Sequence, residues 1–247
     1  MSDDGAAAEV ERVQNAMRAL RDARGFVLPH RGLLAAALPE LHAAYATMYR
    51  ELTLEQGRMD PLQRECVWLA ILAACDEPVG THHVALFREH GGTDALAGAV
   101  FRQTGWAMGA EAHGFLPRGW APLFPGLDPV RAYLDGAAAL NDPAVLPDST
   151  ARLLRLAVQA ARDKRWALRA ELLGAYEGGL DEHLMAEAIS LIIWPRGVNP
   201  FVRAADTWLE VLRGGGVSPS PVFAAWAEAS GQGPLELVPG AAAPHRG

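Results

Sequence analysis

The chain is 247 residues long, half of them apolar, with a formal charge of −7 and two cysteines. That length and apolar content exclude disorder as the overall state and allow a full core in one large domain or two ordinary ones. The acidic balance, with no run of Lys and Arg, excludes the basic stripe that a nucleic-acid partner needs.

In chain order, AEVERVQNAMRALRDA predicts a first amphipathic helix, closed near Gly25. The opening MSDDGAAAEV is acidic where a secretory leader is basic. RGLLAAAL and PELHAAYATMYREL follow as a helix restarted at Pro39, a residue suited to a first turn. In DPLQRECVWLAILAAC, Asp60 is a candidate cap and Pro61 opens the helix. Asp76 and Glu77 before Pro78 mark the next start, and Gly91–Gly92 its stop. Thr93 or Asp94 caps a further helix to about Met108. Glu111 to Asp128, rich in Gly and Pro, reads as a linker. No stretch alternates as a strand does, so the expected fold is all-α. No apolar run reaches bilayer length, and two cysteines make no disulfide framework. A cytoplasmic protein with no membrane partner is the expectation.

After the linker the first pattern returns. A shift of 87 residues lays LAILAACDEPVGTHHVALFREHGG over LAVQAARDKRWALRAELLGAYEGG without a gap. Asp76 then meets Asp163, and Gly91–Gly92 meet Gly178–Gly179, the punctuation of one helix pair. The predicted organisation is an N-terminal helix (1–30), a first module (31–112), a linker (113–127), a second module (128–213) and a mostly flexible tail (214–247). Within that tail PVFAAWAEA can form a short helix docked through Phe223 and Trp226.

The chemistry-bearing stretch is CDEPVGTHHVALFREHGG, Cys75 to Gly92. Cys66 and Cys75 are nine apart; on one helix that is opposite faces and about 13 Å of rise, too far for a disulfide. Cys66 reads as a small buried hydrophobe. Cys75 falls just before a helix start, where the dipole and an imidazolium favour a thiolate while Asp76 and Glu77 oppose it. His83 and His90 are seven apart and share a helix face, in line with Asp76 if the turn stays helical; His82 shares its face with Glu89. An imidazole beside a carboxylate is a proton-transfer unit, although a helical His is more commonly polar surface or a satisfied core residue. Histidine pairs four apart and Glu-x-x-His are missing from this stretch, so no metal is expected. No phosphate-cradling or Rossmann glycine loop appears, so no cofactor is expected either. Trp68, Trp106, Trp166, Trp194 and Trp208 fall at apolar helical positions and suit packing, with Trp106 and Trp194 also placed to wall a pocket. Arg162 and Arg169 read as a solvated face, or as a grip on a carboxylate.

RECVWLAILAACDEPVGTHHVALFREHGGTDALAGAV in the first half and AEAISLIIWPRGVNPFVRAADTWL in the second resemble the carboxymuconolactone decarboxylase and alkyl hydroperoxidase superfamily. His83 stands eight residues before Gly91, as the family's histidine does, and Trp194–Pro200 stands where an aromatic–Gly–Pro turn belongs. The peroxidase branch carries Cys-x-x-Cys followed by three residues and then its His. Counted from His83 those positions are Asp76 and Val79; counted from His82 they are Cys75 and Pro78. The second copy has Arg162, Arg169 and Ala170 at the Cys75, His82 and His83 positions. The resemblance implies two tandem modules, a helix-lined pocket in the first, and a homo-oligomer, as a trimer. It implies cofactor-free acid/base chemistry on a small acidic or lactone-type metabolite: decarboxylation, isomerisation or ring opening. His83 would be the acid or base, His82 and the family's upstream Glu (near Glu65) would position it, Cys75 would line the pocket, and Trp106 and His90 would bind substrate. Two alternatives stay open: a thiol peroxidase using Cys75, and a helical scaffold without catalysis.

Overall fold

In the computed structural model, residues 3–55 and 57–232 are described, and among them every regular element is helical. The chain divides into two units, Met1–Glu55 and Gln56–Gly247.

The first unit holds α1 (Asp3–Arg24), α2 (Pro29–Ala37) and α3 (Pro39–Tyr49), which runs into a π turn at Arg50–Leu54. Pro39 enforces the break between α2 and α3, because the residue before a proline is pushed out of the helical region; Leu38 sits at φ −141° and ψ 66°. The Arg12 guanidinium ties α1 to α2 by donating to the Ala35 carbonyl at 2.7 Å.

The second unit runs through α4 (Pro61–Ala74), a 3-10 turn (Pro78–Gly80), α5 (Thr81–Glu89), α6 (Asp94–Met108) and α7 (Glu111–Gly119). It continues through α8 (Pro129–Ala139), α9 (Asp148–Ala161), α10 (Arg165–Glu177), α11 (Glu182–Ser190), α12 (Ile193–Arg196), α13 (Val198–Arg213) and α14 (Pro221–Glu228). Asp60 caps α4 as its composition predicts, accepting from the Gln63 N–H at 2.9 Å, and Pro61 fills the first helical position.

Helices α4 and α9 form the centre. Near their starts Gln63 Nε2 donates to Thr150 Oγ1 at 3.0 Å. At their far ends the Arg162 guanidinium lies within electrostatic reach of Cys75. Proximity at both ends, with the starts bonded to each other, means that the two helices run in the same direction. Around them Trp68, Ile71, Phe87, Leu153, Leu156, Met185 and Ile189 are at most 2 % exposed, in one continuous apolar core.

Both central helices end alike. Asp76 and Asp163 adopt φ of 54° and 58°, the left-handed region, and the next N–H reaches back five residues: Glu77 to the Leu72 carbonyl and Lys164 to the Gln159 carbonyl, each at 3.0 Å. Helix α5 closes the same way with Gly91 at φ 90°, where a glycine carries no penalty.

One segment differs from expectation, and another forms the short docked helix that its sequence allows. The stretch expected as a linker carries α7, because EAHGF supplies a first turn and Pro117 falls late enough to spare most of its hydrogen bonds. The beginning of the expected flexible tail is α14, docked through Phe223, stacked on Trp208 at 5.1 Å, and Trp226, edge-on at 5.9 Å. The expectation of flexibility for residues 233–247 lies outside the described residues.

Candidate acid–base site

Helix α4 buries every residue from Arg64 to Ile71, so Glu65 enters the interior with its hydrophobic neighbours and is 0 % exposed. A carboxylate taken out of water must be compensated. The partner comes from α5, which turns His83 and Phe87, one turn apart, into the core. His83 is 2 % exposed, and its Nδ1 stands 2.7 Å from Glu65 Oε2. An ionised carboxylate only accepts, so opposite it Nδ1 is the donor. In the neutral imidazole that tautomer leaves the lone pair on Nε2.

Two rings hold the imidazole in place. Trp68, one turn along α4 from Glu65, stacks on His83 with centroids 4.2 Å apart and 20° between planes. The exposed His82 ring approaches it to 4.1 Å, nearer than the angular divergence of adjacent helical positions suggests. Arg64 Nε lies 3.7 Å from the other Glu65 oxygen, Oε1. Oε1 and the buried Trp68 indole N–H have no hydrogen-bond partner among the described residues.

The structure therefore brings Glu65, His83 and His82 together, and adds Trp68, which its sequence position marks only as packing. The other expected site residues have different surroundings. Cys75 is not at a helix start: it caps the C-terminal end of α4, its N–H bonded to the Ile71 carbonyl, and a separate turn precedes α5. Burial raises the thiol above its ordinary range, the Glu77 carboxylate adds to this, and Arg196 and Arg162 oppose it. Cys66 is buried and pushed up to about 12. His90 is the exposed C-cap of α5, and the left-handed Asp76, which precedes α5, does not extend the face of His83 and His90. Trp106 serves the second half: its indole donates to the Tyr133 carbonyl at 3.1 Å and its ring stacks near Tyr133 and His113.

At the corresponding depth of α9 and α10 a different set of polar groups is buried. Arg155 Nε donates to Glu171 Oε1 at 2.9 Å, Tyr133 Oη donates to the same oxygen at 2.6 Å, and Arg155 also donates to Gln103 at 2.8 Å. Arg155 occupies the position 87 residues after Trp68. The only sequence sign of this network is Arg155 and Gln159, four apart inside the apolar run RLLRLAVQAA. Arg162 is spent on the Met108 carbonyl at 2.8 Å, and Arg169 is exposed.

A cavity of about 540 Å³ lies away from His83, between α9, α10, α13 and the turn after α14. Leu168, Ala204 and Thr207 form its floor; Arg165 and Arg203 on its rim are paired to Glu210 and Asp163. Among the described residues no group of three His, Cys, Asp or Glu is placed to hold a metal ion, and no helix is long and apolar enough to cross a membrane.

None of the protein families, curated proteins or solved structures compared with the chain matches it.

Proposed function

We propose that the protein is a cofactor-independent acid/base enzyme acting on a small acidic or lactone-type metabolite, with His83 as the proton-transfer group. The observation that carries this reading is the buried pair of His83 Nδ1 and Glu65 Oε2 at 2.7 Å. Nε2 removes a proton from the carbon beside a substrate carbonyl, and the C–H electron pair moves into the enolate oxygen. Return of the proton at a second carbon completes an isomerisation, with no net gain or loss of atoms or electrons. Glu65 stabilises the imidazolium formed between these steps, and Trp68 keeps the ring in register. The raised thiol of Cys75, at the negative end of α4, speaks against the peroxidase alternative. The test is turnover of a panel of small lactones and unsaturated carboxylic acids by the full chain and by His83→Ala. Turnover lost in the variant supports the reading; turnover equal in both refutes it.

We also infer that the second unit is a duplication, with α4–α6 and α9–α12 as its copies. Support comes from two 14-residue helices starting 87 residues apart, the paired left-handed Asp76 and Asp163, and the contact between the equivalent residues Gln63 and Thr150.

A second reading is a non-catalytic helical scaffold. It is favoured by the 2 % exposure of His83 and by a cavity of about 540 Å³ whose lining does not include it. Under that reading the pair is a core device and no member of the panel is turned over.

A further inference from the structure

The segment from Phe115 to Leu127 carries five large apolar side chains turned to solvent. Phe115, Trp120, Phe124 and Leu127 are each more than two-fifths exposed, and Leu123 is 70 % exposed. They form one ridge over α7 and the following 3-10 turn (Ala121–Leu123). Phe115 and Trp120 meet edge-on with centroids 4.9 Å apart, and Trp120 continues to Phe124 at 6.4 Å.

The ridge is held rigidly from below. Gly114, on the inner face of α7, lies so close to the Trp166 indole that a Cβ there would stand 3.0 Å from the ring. Arg118 Nε donates back to the Gly114 carbonyl at 3.0 Å, and Pro117, Pro122 and Pro125 restrict the backbone between the aromatics. Such a surface loses little internal freedom on binding, which lowers the ordering part of the cost of association.

We propose that this ridge is the contact through which two copies of the chain associate about a two-fold axis, ridge against ridge. Area and composition favour a second copy as the occupant. At about 200 Å² per large side chain, half exposed, each copy presents about 500 Å² of apolar surface. That is at the upper end of what a monomer usually exposes, and a self-contact buries about 1,000 Å² in all, the floor for a specific interface. A two-fold contact places each Trp and Phe against another apolar ridge of the same kind, the composition typical of an interface centre. The segment contributes one positive side chain, Arg118, between Phe115 and Leu127, so like-charge repulsion across the axis is small.

The experiment is sedimentation velocity on the full chain over a concentration series from about 1 to 100 µM, a span suited to a contact of this size. The wild type is expected to pass from monomer to dimer. Trp120→Ser with Phe124→Ser is expected to weaken association at least about tenfold, the equivalent of about 1.4 kcal/mol, with an unchanged helical circular dichroism spectrum. Leu123→Glu, at the most exposed position, is expected to do the same and serves if the double variant misfolds. The proposal is overturned by a wild type that stays monomeric throughout, by a dimer that both variants leave intact, or by a closed trimer in place of a dimer.

Discussion

Removing Glu65 and His83 singly and together tests whether they act as one unit. Each single alanine variant strands a partner that is 0–2 % exposed, and breaking a buried pair from one side costs about 3–5 kcal/mol. The His83 variant also loses its stack on Trp68, worth about 0.5–1.5 kcal/mol. The double variant removes both groups and strands neither, so its cost falls short of the sum of the singles. A coupling of about 2–3 kcal/mol is expected. Urea unfolding followed by circular dichroism reads this directly. With a slope of about 2–3 kcal/mol per M for a chain of this size, each single variant lowers the midpoint by about 1–2 M. Additivity within about 0.5 kcal/mol would refute the pairing on which the site is built.

Four further outcomes follow from the same geometry. Cys66 is raised to about 12 while an unfolded thiol titrates near 9.0. Above that value the unfolded chain releases a proton the folded chain keeps, so stability falls as pH rises, by about 1.4 kcal/mol per unit. Cys66→Ala should flatten urea midpoints between about pH 9 and 10; an unchanged slope contradicts this. Native Cys75 should react with a disulfide reagent at neutral pH more slowly than a free thiol, as its raised pKa requires; a faster reaction would revive the peroxidase alternative. Arg155→Met leaves Glu171 buried without its cation and should cost about 3–5 kcal/mol in thermal or urea unfolding, whereas Tyr133→Phe should cost about 1–2. Asp76→Gly relieves a left-handed backbone and should stabilise by up to about 1 kcal/mol; a loss of stability would show that the Asp76 side chain has a role of its own.

The helices were legible where punctuation and periodicity coincide. Asp60–Pro61 announces α4, and the 87-residue shift anticipates the bounds of α9 from those of α4. Failure came where one residue supports two readings. Cys75 stands before Asp-Glu-Pro, a plausible helix start, but the left-handed Asp76 makes it the end of the helix before. Helix α7 was hidden by its own Gly and Pro, and α14 was legible through Phe223 and Trp226. At the site, His83 and Glu65 could be named from the resemblance, but their separation of 2.7 Å depends on how α5 crosses α4. The network of Arg155, Glu171, Tyr133 and Gln103 joins four helices, α9, α10, α8 and α6, and no local pattern encodes it.

The central claim is that His83 moves protons through Nε2 with Glu65 behind it. Deuterium incorporation from D2O into the carbon beside the carbonyl of a small lactone, followed by NMR, reads that transfer without requiring complete turnover. The account predicts incorporation by the wild type, slowed by about 10- to 100-fold in Glu65→Gln and reduced to the uncatalysed rate in His83→Ala. Incorporation that His83→Ala leaves unchanged, or a wild type that exchanges no lactone proton, would contradict it.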